Sequence, residues 1–198
     1  MKQDRGKLDD TLAAMYSSPE FSSDYLFYAH IIGQCSIIIE PSVPAPAGVA
    51  FKHDHFNLYI NSERFDVFSL KERLSILKHE ALHILLDHIG NGSKRNKNLK
   101  PFIWNIAADI VVNDLIQRNT NFKLPKDAII NNKYSDKSVE YIYEKLLKNE
   151  SFKRYKLAIP DIATQIEGES SNAVADVEIA NVDEIEGYWK DKLEVLKN

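Results

Sequence analysis

The sequence predicts an α+β domain in which a small β-sheet packs on helices. Five stretches have helical character, two short β-prone runs lie between the second and third of them, and a proline-rich break separates the helical N-terminal part from those runs.

The first helical pattern runs from Leu12 to Tyr16 and the second from Tyr25 to about Gln34, where Ser23 or Asp24 is placed to cap the second. The stretch Pro41-Ser42-Val43-Pro44-Ala45-Pro46-Ala47-Gly48 reads as a connector, because each proline lacks an amide donor and restricts its predecessor. Val49-Ala50-Phe51 and Phe56-Asn57-Leu58-Tyr59-Ile60 then read as strands joined through Lys52-His53-Asp54-His55, with Phe56–Ile60 expected at the sheet edge. Ser69-Leu70-Lys71-Glu72 has the spacing of a capping box, which opens a helix from Leu70 to about Ile89, closed by Gly90. After a polar loop at Asn91–Asn98, one helix starts behind Pro101 and reaches about Arg118, and another covers Val139 to Leu147.

Composition narrows the function classes. The chain has 198 residues, 44% of them hydrophobic, which suits one globular domain with a tail. No apolar run approaches the length of a bilayer span and the N-terminus has no apolar core of a signal peptide, so a soluble cytoplasmic protein without membrane association is expected. Cys35 is the single cysteine, so any metal must be held by His and carboxylate groups.

Between Asp161 and Gly187 there are eight acidic residues and no Lys or Arg, with neither aromatics nor periodicity. Residues 161–187 therefore read as an acidic flexible linker behind a domain at 1–160. Residues 188–198 read as a short amphipathic helix, a possible start of a further domain. The excess of positive charge elsewhere is small and scattered, which argues against a nucleic-acid partner.

The chemistry concentrates in His79-Glu80-Ala81-Leu82-His83. Residues four apart share a helix face, so His79 and His83 can present two imidazoles to one ion while Glu80 stands beside them as a general base. A third protein ligand is needed, and the next helix offers one. Asn105, Asp109 and Asn113 recur every four positions on an otherwise apolar segment, and a carboxylate there is costly to bury unless paired or bound to a metal. Asp109 is the preferred third ligand, with Asn105 and Asn113 orienting the ligands. His88 is the rival: five residues after His83, it faces away from the pair unless the chain bends. His53 and His55 alternate across Asp54 and do not converge easily on one ion.

Taken together, these segments resemble the metallopeptidase domain family usually found ahead of a von Willebrand factor A-like domain in bacterial and phage proteins. The likeness runs from about Phe27 to Leu147 and rests on Pro41-Ser42-Val43, Leu58-Tyr59-Ile60-Asn61, Leu77 to His83 with His88, Trp104 to Asp109 with Val112-Asn113, and Val139 to Tyr143. It implies His79 and His83 as ligands, Glu80 as base and Asp109 as third ligand.

The expectation is thus a zincin-like fold carrying a Zn2+-dependent peptidase, with a cleft between strand Phe56–Ile60 and the helix of His79. An extended peptide or protein substrate would add itself to the edge strand. Tyr134, Tyr141, Tyr143 and the His53/His55 pair are the candidates for oxyanion stabilisation. The alternative is a catalytically silent, zinc-stabilised interaction module, with a protein partner bound through the acidic linker or the last helix.

Overall fold

A computed structural model describes residues 5–17, 22–52, 54–89, 100–118 and 122–148. His53, Gly90, the Asn91–Asn98 loop, the acidic stretch 161–187 and the segment 188–198 lie outside them. The elements are α1 (Leu8–Ser17), α2 (Ser22–Ile32), β1 (Ser36–Ile39), β2 (Ala47–Lys52), β3 (His55–Ile60), α3 (Ser62–Phe65), α4 (Leu70–Leu85), α5 (Pro101–Gln117), a 3-10 turn (Asn132–Tyr134) and α6 (Val139–Leu147). The α+β class is as expected: a three-stranded sheet and six helices among the described residues.

The strand order is β1-β3-β2, with β1 parallel and β2 antiparallel to β3. The expected pairing of the two β-prone runs is present, closed by a tight turn in which Asp54 takes φ 62, the positive value that short hairpins need. The expected edge position of Phe56–Ile60 is wrong. That strand is central, because a third strand, Ser36–Ile39, pairs with its other side. The edge facing the helices belongs to β2. Asn61, just past β3, fixes the proline connector by donating to the carbonyls of Pro41 and Val43, and its side chain accepts from Arg64 to cap α3.

α4 is the central helix. Its start is as predicted: the Ser69 hydroxyl accepts from the Glu72 amide and the Glu72 carboxylate accepts from the Ser69 amide. Leu74, Leu77 and Ala81 are fully buried against α1, α2 and β3 through Leu8, Ile32 and Leu58. Burial of each large side chain is worth roughly 1.5–3 kcal/mol. Arg73, also buried, ties α1 to α4 through Thr11 and the Phe68 carbonyl.

The helix ends earlier than Ile89. The His88 amide donates to the His83 carbonyl and the Asp87 amide to that of Ile84, with Asp87 at φ 53. This is a Schellman stop with Asp in the left-handed position usually held by Gly. α2 also begins earlier than expected, so Ser23 and Asp24 lie within its first turn and not at its cap.

α5 starts at Pro101 and α6 at Val139, as expected, and the Ser138 side chain caps α6. The two pack through a second core of Trp104, Ala107, Ile142 and Tyr143. Trp104 fastens α5 to the end of α4 by donating its indole N–H to the His88 carbonyl, 3.0 Å away. No helix among the described residues is long and apolar enough to cross a membrane.

Candidate metal centre

α4 and α5 cross so that His79, His83 and Asp109 converge. Asp109 Oδ1 lies 3.3 Å from His79 Nε2 and 3.2 Å from His83 Nε2, and the two Nε2 atoms are 2.8 Å apart. Four ligands about 2.0–2.2 Å from one ion at tetrahedral angles have donors about 3.3–3.6 Å apart. The two His–Asp separations lie at or just below the lower end of that range, and the shorter His–His separation is a hydrogen bond that a cation would replace. Among the described residues this is the cluster of three His, Cys, Asp or Glu groups able to hold a metal ion.

The tautomer of His79 follows from its neighbour. Asn113 is buried, and its Nδ2 donates to the Ile129 carbonyl at 3.0 Å. Its Oδ1 must therefore face His79 Nδ1, also 3.0 Å away, which makes Nδ1 a donor and, once the ring is neutral, leaves the Nε2 lone pair to the cluster. Asn113 thus contacts the His79 ring, as expected. Asn105 lines the same cleft but, among the described residues, bonds to neither His nor to Asp109.

Charge in the cluster is strongly coupled. Burial acts to lower the affinity of His79 for its proton, but the hydrogen bond and charge of Asp109 outweigh it and push the pKa up to about 9. Burial likewise acts to raise Asp109, and bonds from His79 and His83 reverse this, holding the carboxyl well below the usual carboxylate range. A cation there would take over the proton's role and displace it.

Glu80 faces β2. It is buried, and its carboxylate accepts a hydrogen bond from the Val49 backbone amide. Burial raises its pKa, while the charges of His79 and His83 act against that rise. A buried carboxylate held beside the cluster, with raised proton affinity, has the character of a proton acceptor. Cys35 is not part of the cluster; burial and then the charge of Glu80 push its thiol up to about 12.

All four groups line a cleft of about 940 Å³. One wall is β2. The opposite wall is the segment carrying Leu124, Pro125, Ala128 and Ile129. That segment is anchored at its start by the Lys123 amide on Ser75 and the Lys123 ammonium on Glu72, and at its end by Asn113. The Lys78 ammonium sits 3.6 Å from the Phe122 ring centroid, a further tie to α4. Neither this wall nor the Val49 amide was found by reading the sequence. The wall's one visible sign is a run of apolar residues in a segment without periodicity, and a backbone amide has no side-chain signature.

Other candidates are placed elsewhere. Tyr134 and Tyr143 pack in the second core, Tyr141 is exposed on α6, and none of the three lines the cleft. The physical reason is the helical spacing of Val139, Ile142, Tyr143 and Leu146, which turns Tyr143 towards Trp104, while its hydroxyl accepts from the Lys100 amide. His55 pairs with Lys52 at the hairpin end, away from the cleft. His88 is not in the His79–His83–Asp109 group, yet the Schellman turn brings its ring back to 5.3 Å from that of His83.

A family profile described as "Putative metallopeptidase domain" matches residues 38–185. No curated protein and no solved structure matches the chain.

Proposed function

We infer, from a chain that belongs to this metallopeptidase-domain family, a Zn2+-dependent peptidase of zincin-like fold with Glu80 as its general base. The observation that carries the reading is Glu80, buried next to the His79–His83–Asp109 cluster and held by an edge-strand amide. A site that only stabilises a fold has no use for a base there.

His79 and His83 would hold the ion through Nε2 and Asp109 through Oδ1. When bound, zinc would supply Lewis acidity and lower the pKa of a bound water to about 7. Glu80 accepts a proton from the attacking water and later delivers it to the leaving amine nitrogen, so it ends each turnover ionised. The Val49 amide keeps the carboxylate turned to the cleft. Because Val49 directs that amide away from β3, the free edge of β2 is the strand to which an extended peptide adds.

The test is cleavage of a mixed peptide substrate by metal-loaded protein. Loss of cleavage with a chelator and its return with added zinc supports the reading. A protein that binds one zinc per chain, cleaves nothing and captures a partner would favour the interaction module. The acidic stretch 161–187 and the segment 188–198 are proposed to be dispensable for folding of the preceding domain.

A further inference from the structure

The sequence raised His88 as the rival third ligand, and it lies outside the His79–His83–Asp109 group. Its side chain is buried, lines the cleft, and carries an Nδ1 that is sealed from solvent with no hydrogen-bond partner among the described residues. Buried polar atoms are paired with few exceptions, and an exception in a cleft calls for a functional account. The residue is not free to move aside. Its backbone amide closes the Schellman stop, its carbonyl accepts from Trp104, and its ring stands edge-on to His83 with an interplanar angle of 73°.

The absence of an acceptor at Nδ1 decides the tautomer. An unpaired buried N–H is rarer and costlier than an unpaired acceptor, so the proton of the neutral ring sits on Nε2. The ring then presents an N–H donor to the cleft, next to His83 and outside the ligand triangle. Resting on the metal-dependent reading above, we propose that His88 is a carbonyl-binding residue. Its Nε2–H donates to the oxygen of an acyl group seated at the metal cluster, and that hydrogen bond strengthens as the oxygen gains negative charge. This fills the oxyanion role for which Tyr134, Tyr141 and Tyr143 are out of place.

The full chain reconstituted with cobalt(II) tests this by titration with acetohydroxamate, which offers both a metal ligand and an acyl oxygen, read from the visible absorption of the metal. His88→Phe and His88→Gln are compared with the unaltered protein. Cobalt affinity is expected to change by less than about threefold in both. Hydroxamate affinity should fall roughly tenfold in His88→Phe, the worth of one hydrogen bond, and recover in His88→Gln, which keeps a side-chain N–H. Equal hydroxamate affinity in all three overturns the proposal, and so does loss of cobalt in His88→Phe, which would make His88 a ligand. A chain that binds no cobalt at all sinks the metal reading and the proposal with it. The tautomer is checked without metal or activity: 15N chemical shifts of the histidine rings, assigned through His88→Gln, should show Nε2–H for His88, and an Nδ1–H tautomer overturns the proposal even if the metal reading stands.

Discussion

Asn113 joins His79 to the far wall of the cleft through one side-chain amide, with Oδ1 3.0 Å from His79 Nδ1 and Nδ2 donating to the Ile129 carbonyl. A single buried residue thereby links the orientation of the His79 ring to one end of that wall. Asn113→Ala should lower metal affinity about 10- to 100-fold, the usual loss when a histidine ligand loses its orienting partner. Asn113→Asp keeps the acceptor and should retain more of it. Competition with a chromophoric chelator measures both, and equal affinity in Asn113→Ala would remove the orienting role.

Metal binding should depend on pH in a defined direction. With no cation present, Asp109 holds the His79 proton up to about 9. That proton must leave before Nε2 can act as a ligand, so affinity should rise as pH increases towards 9, with proton release on binding. The same raised pKa means that its contribution to metal-free stability is fully present below about 6.5 and fades between there and about 9. Isothermal titration in buffers of different ionisation enthalpy reads the proton release. A flat profile from pH 6 to 9 would contradict the His79–Asp109 coupling.

The opening of α4 makes a stability prediction. Glu72 accepts from Lys123 and from Ser69, which lower its carboxyl to about 2 from an ordinary 4.5. Its contribution is therefore present above about 4.5 and lost as pH falls towards 2. Glu72→Gln should cost about 1 kcal/mol at neutral pH, comparable to the loss of a helix cap. Chemical denaturation at pH 7 and pH 3 should show the difference shrinking at the lower value.

The reach of sequence reasoning can be traced residue by residue. The start of α4 was legible because Ser69 and Glu72 satisfy each other's amides locally, and Asp109 with Asn113 because polar residues four apart interrupt an apolar helix. The end of α4 was not, since its stop uses Asp87 in a left-handed conformation, a place where sequence reasoning looks for Gly. β1 was missed, and with it the central place of β3. Ile37, Ile38 and Ile39 are a short apolar run whose parallel partner lies some twenty residues away, and a local pattern does not encode such pairing. His88 was weighed on a regular helix, whereas the Schellman turn redirects it.

Val49 separates the base from the sheet. Its amide bonds to Glu80 and not to β3, so Val49→Pro removes that donor without breaking the ladder, as edge strands allow. Zinc content should stay at the unaltered level while peptide hydrolysis falls roughly tenfold or more, as general-base efficiency declines. Unchanged hydrolysis at equal zinc would show that the amide does not position Glu80.

The most direct measurement of the account is Glu80→Gln compared with the unaltered protein at equal zinc occupancy on a peptide that the unaltered protein cleaves. The substitution keeps size and helix preference but removes the group that accepts a proton from water. Zinc binding should survive and cleavage should fall by about two to four orders of magnitude. Equal cleavage rates in the two proteins would contradict Glu80 as the base and, with it, the reading of this cluster as a catalytic centre.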